Sequence, residues 1–449
     1  MFRFIVAERK TGYLLPPSLD DCLKEDHLAC FIVEVIDQLD FSNLTRQYAG
    51  RGSKAHHPAA LLTILVYGYT IAVFSSRKLE QATDDSVAFR YLAAGSHPDH
   101  TTLATFRQRF LDEVAGLFVK VLELAKEMKL PKLGNVCLDG TKVNANASRH
   151  SALSHGHIEK MEVQLKAKLQ ELLALADRAD VPDNVSLSDE IKRCEDRLAA
   201  MAVAKARIAA RAEERYQREK AEYDQKMAGR AAKEEATGKK PGGKPPKAPE
   251  PGPRDSDQVN LADEESRIMP VAGGGFEQAY NAQAAVDADT MRVVAVGVTQ
   301  APNDKEQVEP MLATLQAQAE VLGALACLIA DTGFCSEKNL KACEAAGIAP
   351  LIAIARDEHH PGCRERHSEP AALPDDATPT QARAHRLKTK AGRALYALRK
   401  QTVEPVFGII KSVLCFRQFS LRGLKNVQDE WMLVCLAWNL KRMAALRPQ

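Results

Sequence analysis

Two short apolar runs, each closing on an aspartate, constrain this 449-residue chain more than any other feature. The first is Asn135-Val-Cys-Leu-Asp139, the second Ala324-Leu-Ala-Cys-Leu-Ile-Ala-Asp331. Runs of this length and composition read as strands buried on both faces. Before the second run, Glu277–Asp287 alternates roughly by two, Ala288-Asp289-Thr290 turns, and Met291–Val298 returns, which predicts a β-hairpin. A helix is expected from Asn303-Asp304 to about Val321, another from Ser336 to about Ala346, and a fifth strand over Ala349–Ile354. Helices are expected over about 381–414 and 426–445. This order predicts a mixed five-stranded sheet with helices on its faces, an α/β fold.

Ligand sites of such sheets lie beyond the carboxyl ends of strands. The topology sets Asp139 and Asp331 side by side, where two carboxylates repel unless a cation lies between them. Hard oxygen ligands select Mg²⁺ or Mn²⁺. Glu404 can supply a third carboxylate. Val403, Phe407, Ile410 and Leu414 form one packing stripe, and Glu404 stands at its edge with Lys400 and Lys411 on the same side. Pro405 belongs in a first helical turn, so a helix is expected to start near Glu404. Salt bridging to Lys400 is the commoner use of such a glutamate. The macrodipole would also favour an acid there.

The rest of the chain is helical or linker-like. From 55 to about 128 the pattern predicts several short helices. Pro98-Asp99-His100-Thr101-Thr102 offers N-cap residues before a Leu103, Phe106, Phe110 stripe flanked by Arg107 and Arg109. A helix-turn-helix module and a plain bundle with a solvated arginine face fit equally. Residues 158–226 are strongly helical in two pieces, broken at Val181-Pro182-Asp183-Asn184. Ile191, Cys194, Leu198 and Met201 make an imperfect heptad seam, interrupted by Lys205 and resumed by Ile208. A helical hairpin or an intermolecular coiled coil would bury it, and the weak seam favours the hairpin. Residues 227–254 carry six Pro and five Gly, with seven Lys/Arg against three Glu, and are expected to be a disordered basic linker.

A net charge of +2 excludes histone-like and acidic disordered chains. It hides an asymmetry: 356–449 holds 17 Lys/Arg and 9 Asp/Glu, the kind of local excess that phosphate binding requires and that a solvated basic face also gives. No apolar run approaches the ~20 residues of a membrane span. The first residues are too short an apolar stretch for a signal peptide. Ten cysteines without a C-x-x-C pair read as reduced thiols, and the expected compartment is the cytoplasm. His359, His360, Cys363 and His367 match no strong zinc pattern, and His150, His155 and His157 read as a polar loop.

Three blocks resemble the catalytic blocks of DDE transposases: Asp139-Gly140-Thr141, Asp331-Thr332-Gly333-Phe334, and Tyr396-Ala-Leu-Arg399-Lys-Gln-Thr-Val-Glu404-Pro-Val-Phe-Gly-Ile-Ile-Lys411. The similarity is to the IS4/IS5-like superfamily of bacterial insertion sequences, most of all the IS1182 group. Tyr280–Asp287 resembles that group's second strand, and Leu61–Phe110 its helical DNA-binding domain. Two departures stand out. The related signature spaces Tyr, Arg and Glu as Y-x2-R-x3-E, whereas four residues separate Arg399 from Glu404 and Lys400 holds the three-residue spacing, so either could fill the Arg role. Further, the helical insertion puts Asp331 192 positions after Asp139.

The resemblance implies an RNase H-like catalytic core over 129–149 and 259–449, interrupted by a helical hairpin (150–226) and a basic Pro/Gly linker (227–258). An all-α DNA-binding domain (1–128) precedes it. It also implies that Asp139, Asp331 and Glu404 bind Mg²⁺, with Mn²⁺ able to substitute, for DNA cleavage and strand transfer. Arg399 or Lys400, Lys411, Tyr396, Arg107 and Arg109 would contact DNA. The implied partners are double-stranded terminal inverted repeats and target DNA, held by a homodimer, with no membrane. A DNA-binding scaffold that has lost catalysis, and a nuclease without joining activity, are the alternatives.

Overall fold

The computed structural model describes residues 18–46, 48, 55–128, 130, 133–176, 187–238, 242–271, 273–354, 368–374 and 377–447. The His359–His367 group and the expected helix break at 181–184 lie outside these residues. Among the described residues no helix is long and apolar enough to cross a membrane.

The chain divides into two units, one made of the described residues up to Val143 and from Tyr280 on, the other of Asn144–Ala279. The first unit opens with seven helices: α1 (Leu28–Ile36), α2 (Ser42–Arg46), α3 (Pro58–Thr70), α4 (Ser76–Asp85), α5 (Val87–Leu92), α6 (His100–Phe110) and α7 (Val114–Glu127). Proline at the start of α3 leaves no donor wasted there. Asp99 caps α6 as expected, accepting the Thr102 N–H at 2.7 Å. Hydrogen bonds from Thr101 and Thr102 hold its carboxyl down to about 2.

Strand β1 (Asn135–Asn144) follows. After the second unit come the hairpin β5 (Phe276–Asp287) and β6 (Val293–Thr299). In this unit β6 pairs with β5, β5 neighbours β1, and β7 and β8 continue the sheet, giving the order β6-β5-β1-β7-β8. β7 is Cys327–Ala330 and β8 Ala349–Ile352. β1 and β7 are parallel, with Leu138 opposite Ala330, and β8 is parallel to β7. These are the five strands that the sequence predicts. The sheet nevertheless has six, because β4 (Arg267–Pro270) pairs with the first four residues of β5. Its Arg-Ile-Met-Pro sequence is too short and mixed to declare itself.

Helices α10 (Val308–Ala317), α11 (Ala319–Leu322) and α12 (Glu337–Ala345) connect the later strands. The helix expected from Asn303-Asp304 starts only at Val308, which leaves Asp304 in a loop. The expected helix over 381–414 is broken into α13 (Pro379–Lys388), α14 (Lys390–Gln401) and α15 (Val403–Gly408), followed by a π-helical turn at Ile409–Val413. Pro405 explains the last break. It has no N–H for the Gln401 carbonyl, and its ring would collide with that carbonyl in a continuous helix. The final helix, α16 (Leu424–Leu446), is apolar almost all round. It is buried because it packs between α3, α7 and β6. Two of its side chains bind the sheet: Asn439 exchanges two hydrogen bonds with the Val293 backbone (2.8 and 2.7 Å), and Trp431 Nε1 donates to the Gln283 carbonyl at 2.9 Å.

The second unit contains the helical pair α8 (His155–Ala176) and α9 (Leu187–Thr237), which pack on each other, and the small antiparallel pair β2 (Ala152–Ser154) and β3 (Gln258–Asn260). Ile158, Met201, Ala204 and Ile208 form its apolar centre with Val259. Lys205, the interruption in the seam, reaches Glu162 of α8 at 3.3 Å. α9 runs eleven residues past the expected end at 226. Met227–Thr237 holds four Ala and two Glu, whose helix propensity outweighs Gly229. The helix stops only at Gly238, whose φ of +62° suits a C-terminal cap. The end of the Pro/Gly stretch is tied back to α9, since Arg215 donates to Asp257 at 2.7 Å and to the Gly252 carbonyl at 2.9 Å.

Candidate active site

Parallel pairing of β1 with β7 brings Asp139 and Asp331 to adjacent positions, one residue beyond the paired Leu138 and Ala330. The two are held differently. Asp331 caps the short helical turn Thr332–Phe334, its Oδ1 accepting the Gly333 N–H at 2.8 Å. Asp139 lies within β1, which runs on to Asn144, five residues past the end that the apolar run predicts. Its Oδ1 accepts the N–H of Gly140 at 2.8 Å. Burial pushes the Asp139 carboxyl up to about 7. The Gly140 N–H and Arg399 oppose the shift, while Asp331 and Asp304 add to it.

Glu404 joins through a cation. Arg399 Nη1 is 3.3 Å from Asp139 Oδ2, and Nη2 is 3.0 Å from Glu404 Oε1. In an unbroken helix, five residues of separation would turn the two side chains about 140° apart. The break at Thr402, with φ −120° and ψ −83°, absorbs the extra residue and lets them meet. Thr402 is itself buried, and it hydrogen-bonds the Cys137 thiol, two residues before Asp139. Arg399 is only 15% exposed, whereas Lys400 faces solvent. Of the two candidates for the Arg role, Arg399 is therefore the one that stands among the carboxylates. Its guanidinium also lies 5.9 Å from the Tyr396 ring centroid.

Lys411 belongs to the π-helical turn and donates to the Lys142 carbonyl at 2.6 Å. Burial and the neighbouring Lys142 and Arg417 lower its affinity for a proton. Arg107 and Arg109 part ways. Arg109 is exposed on α6. Arg107, expected to contact DNA, is turned inward. It donates to the Phe74 carbonyl at 3.0 Å and hydrogen-bonds Tyr69. Tyr69 in turn donates to the buried Glu430 at 3.2 Å. The stripe of α6 rotates Arg107 toward this polar pocket because Leu103 and Phe106 face the core.

Four residues that sequence reasoning missed complete the site. Asp304 Oδ1 accepts from Asn281 Nδ2 at 2.7 Å and from Gln283 Nε2 at 2.6 Å. Lys142 is half-buried, and the charges of Asp139 and Asp304 partly offset the cost of burying its ammonium. The signal available was the alternation of Tyr280–Asp287, which puts Asn281 and Gln283 on one face of β5. Gly140 makes the close packing possible: a Cβ there would overlap Gln283 Nε2 and stand 2.6 Å from Asp304 Oδ1.

The donor set suits a hard divalent ion. It is all oxygen, it concentrates negative charge, and it leaves the buried Asn281 Oδ1 and Gln283 Oε1 without hydrogen-bond partners among the described residues. The triad itself is not gathered as tightly as ligands of one ion. Among the described residues, the grouping whose ligand atoms all fall within 4.8 Å is His155, Glu159 and Asp255, in the second unit. His155 was read as part of a polar loop, but it opens α8, which sets Glu159 one turn away.

Residues 248–440 match the family model described as "Transposase DDE domain", and residues 17–109 match that of "Transposase domain (DUF772)". The first match takes in Asp331 and Glu404, while Asp139 precedes it. No curated protein and no solved structure matches the chain.

Proposed function

We propose that this chain, which carries a transposase DDE domain and a second transposase domain, is a DNA transposase of the IS4/IS5-like kind, most like the IS1182 group. It would bind the terminal inverted repeats of an insertion sequence and cut and rejoin DNA at the site of Asp139, Asp331 and Glu404. The observation that carries the reading is the parallel pairing of β1 and β7, which puts two aspartates side by side, with Glu404 linked to Asp139 through Arg399. The strand order β6-β5-β1-β7-β8 supports an RNase H-like core.

Asp139, Asp331 and Glu404 would hold Mg²⁺, or Mn²⁺ in its place. When bound, such ions activate a water or a DNA 3′-hydroxyl for in-line attack on phosphorus and stabilise the leaving oxygen. The protein's part is to gather and orient. Arg399 neutralises the carboxylates and holds Glu404 toward Asp139. Its planar fork would also suit a DNA phosphate laid beside the carboxylates. Lys411 and Lys142 add positive charge on the β1 side. Tyr396 and Lys400 extend the contact along the backbone of DNA. Arg109 on α6 would serve binding at the element ends, and two copies would hold two ends.

The test is a nicking assay on DNA that carries the element's ends. Mg²⁺-dependent cleavage by the wild type, lost in Asp139→Ala, Asp331→Ala and Glu404→Ala, is expected. Cleavage that survives all three substitutions would overturn the reading. Strand transfer from pre-cut ends separates a transposase from a nuclease that only cuts.

A further inference from the structure

We propose that Asp304 is a fourth carboxylate of the divalent-ion site, an inference that rests on the reading of Asp139 and Asp331 as ion ligands. Asp304 lies in the loop between β6 and α10. Its Oδ1 is pinned by the amides of Asn281 and Gln283, and Asn281 Nδ2 also donates to the Ala301 carbonyl at 3.2 Å, which fixes the loop against β5. Both amide side chains are at most 1% exposed.

Two geometric facts show what the pinned carboxylate faces. The point that a Cβ on Gly140 would occupy is 2.6 Å from Asp304 Oδ1 and 2.9 Å from Asn281 Oδ1. The point that a Cβ on Gly333 would occupy is 2.9 Å from Asp331 Oδ1 and 3.7 Å from Asp304 Oδ2. Asp304 therefore bridges the two glycines that follow the catalytic aspartates, with one oxygen on the Asp139 side and the other toward Asp331. The buried oxygens of Asn281 and Gln283 have no hydrogen-bond partner among the described residues. Buried acceptors beside a carboxylate, with two more carboxylates adjacent, call for a cation and its water ligands. A loop anchor alone would need only Oδ1.

Asp304→Asn separates these roles. Asparagine keeps an Oδ1 for the two amides and removes the charge from the other position. Mn²⁺ binding to the full chain is followed by the electron-spin-resonance signal of the free ion. All proteins carry His155→Ala, so that the grouping in the second unit does not contribute. The expected result is that Asp139→Asn abolishes binding and Asp304→Asn weakens it about 10–100-fold, with unfolding in a chelator unchanged. Binding by Asp304→Asn equal to the parent, with Asp139→Asn deficient, overturns the inference. Binding unaffected by Asp139→Asn instead overturns the underlying reading of the site. A second measurement needs no variant. Carbodiimide labelling of the wild type is read by peptide mass spectrometry with and without Mg²⁺. The ion is expected to protect Asp304 together with Asp139 and Asp331. Protection of Asp331 without Asp304 would refute the role given to Asp304, and protection of none of them would refute the ion site.

Discussion

Arg399 carries both ion pairs, to Asp139 and to Glu404; the Asp139 pair is sheltered and screened little by solvent, while Glu404 is 43% exposed and its pair is screened more. Arg399→Ala is expected to lower DNA cleavage roughly 100-fold, while Lys400→Ala, which removes one solvent-facing phosphate contact, should lower it only a few-fold and through weaker DNA binding. Equal losses in the two variants would show that the solvent-facing lysine shares the role. The raised Asp139 carboxyl gives a pH signature. Its folded value of about 7 lies above the ordinary 3.8, so the folded chain holds an extra proton between these values. Without divalent ions, this group's contribution to stability is complete below about pH 4 and is lost as the pH rises through about 7. Ion binding needs the carboxylate, so Mg²⁺ affinity should climb over the same window. Thermal unfolding in a chelator and with Mg²⁺, followed across pH 4–8, checks both slopes, and Asp139→Asn should flatten them. The adjacent places of Asp139 and Asp331 were legible because apolar runs mark buried strands, and the start of α15 because Pro405 interrupts a packing stripe. Asp304 was not, because its place depends on how a loop closes over β5. The inward turn of Arg107 was not legible either, because the direction of a guanidinium is set by packing around it, here by Tyr69 and Glu430.

Among the elements, the break between α14 and α15 decides whether Glu404 can meet Arg399 beside Asp139. Pro405 enforces that break, and the break sets the register between Arg399 and Glu404. Pro405→Ala should let the two helices merge. Helicity measured by circular dichroism should rise slightly, while cleavage falls roughly 100-fold because Glu404 turns away from the aspartates. Retained cleavage with a continuous helix would remove the break from the account. The sequence contains this feature in plain form: a proline two residues into a helical stripe, and one residue too many between Arg and Glu. What it does not contain is the π-helical turn at Ile409–Val413, since the buried positions Ile410 and Leu414 satisfy an ordinary helix equally well. The strands β2, β3 and β4 were missed for a related reason. They are three or four residues long, and their pairing partners, not their composition, make them strands.

At the level of the molecule, α16 ties the N-terminal helices to the sheet of the first unit. Glu430 is the polar centre of that junction. It is fully buried and accepts the N–H groups of Ser420 and Leu421 at 2.9 and 3.0 Å as well as the Tyr69 hydroxyl. Burial raises its carboxyl above the usual range, opposed by these hydrogen bonds and by Arg107. Glu430→Ala strands three donors and should cost roughly 3 kcal/mol or more. Hydrogen exchange is expected to speed up in α3 and in β6 alike, since both pack on α16, and to leave α8 and α9 unchanged. Faster exchange confined to the N-terminal helices would show that they form a separate body.

The account stands or falls on where a divalent ion goes. A crystal of the full chain with Mn²⁺, read by anomalous scattering, answers this directly. The predicted result is a peak about 2.1 Å from oxygens of Asp139 and Asp331, with Glu404 turned to the same ion and Arg399 displaced from between them. A peak only at His155, Glu159 and Asp255, with Arg399 still bridging Asp139 and Glu404 at saturating Mn²⁺, would contradict it.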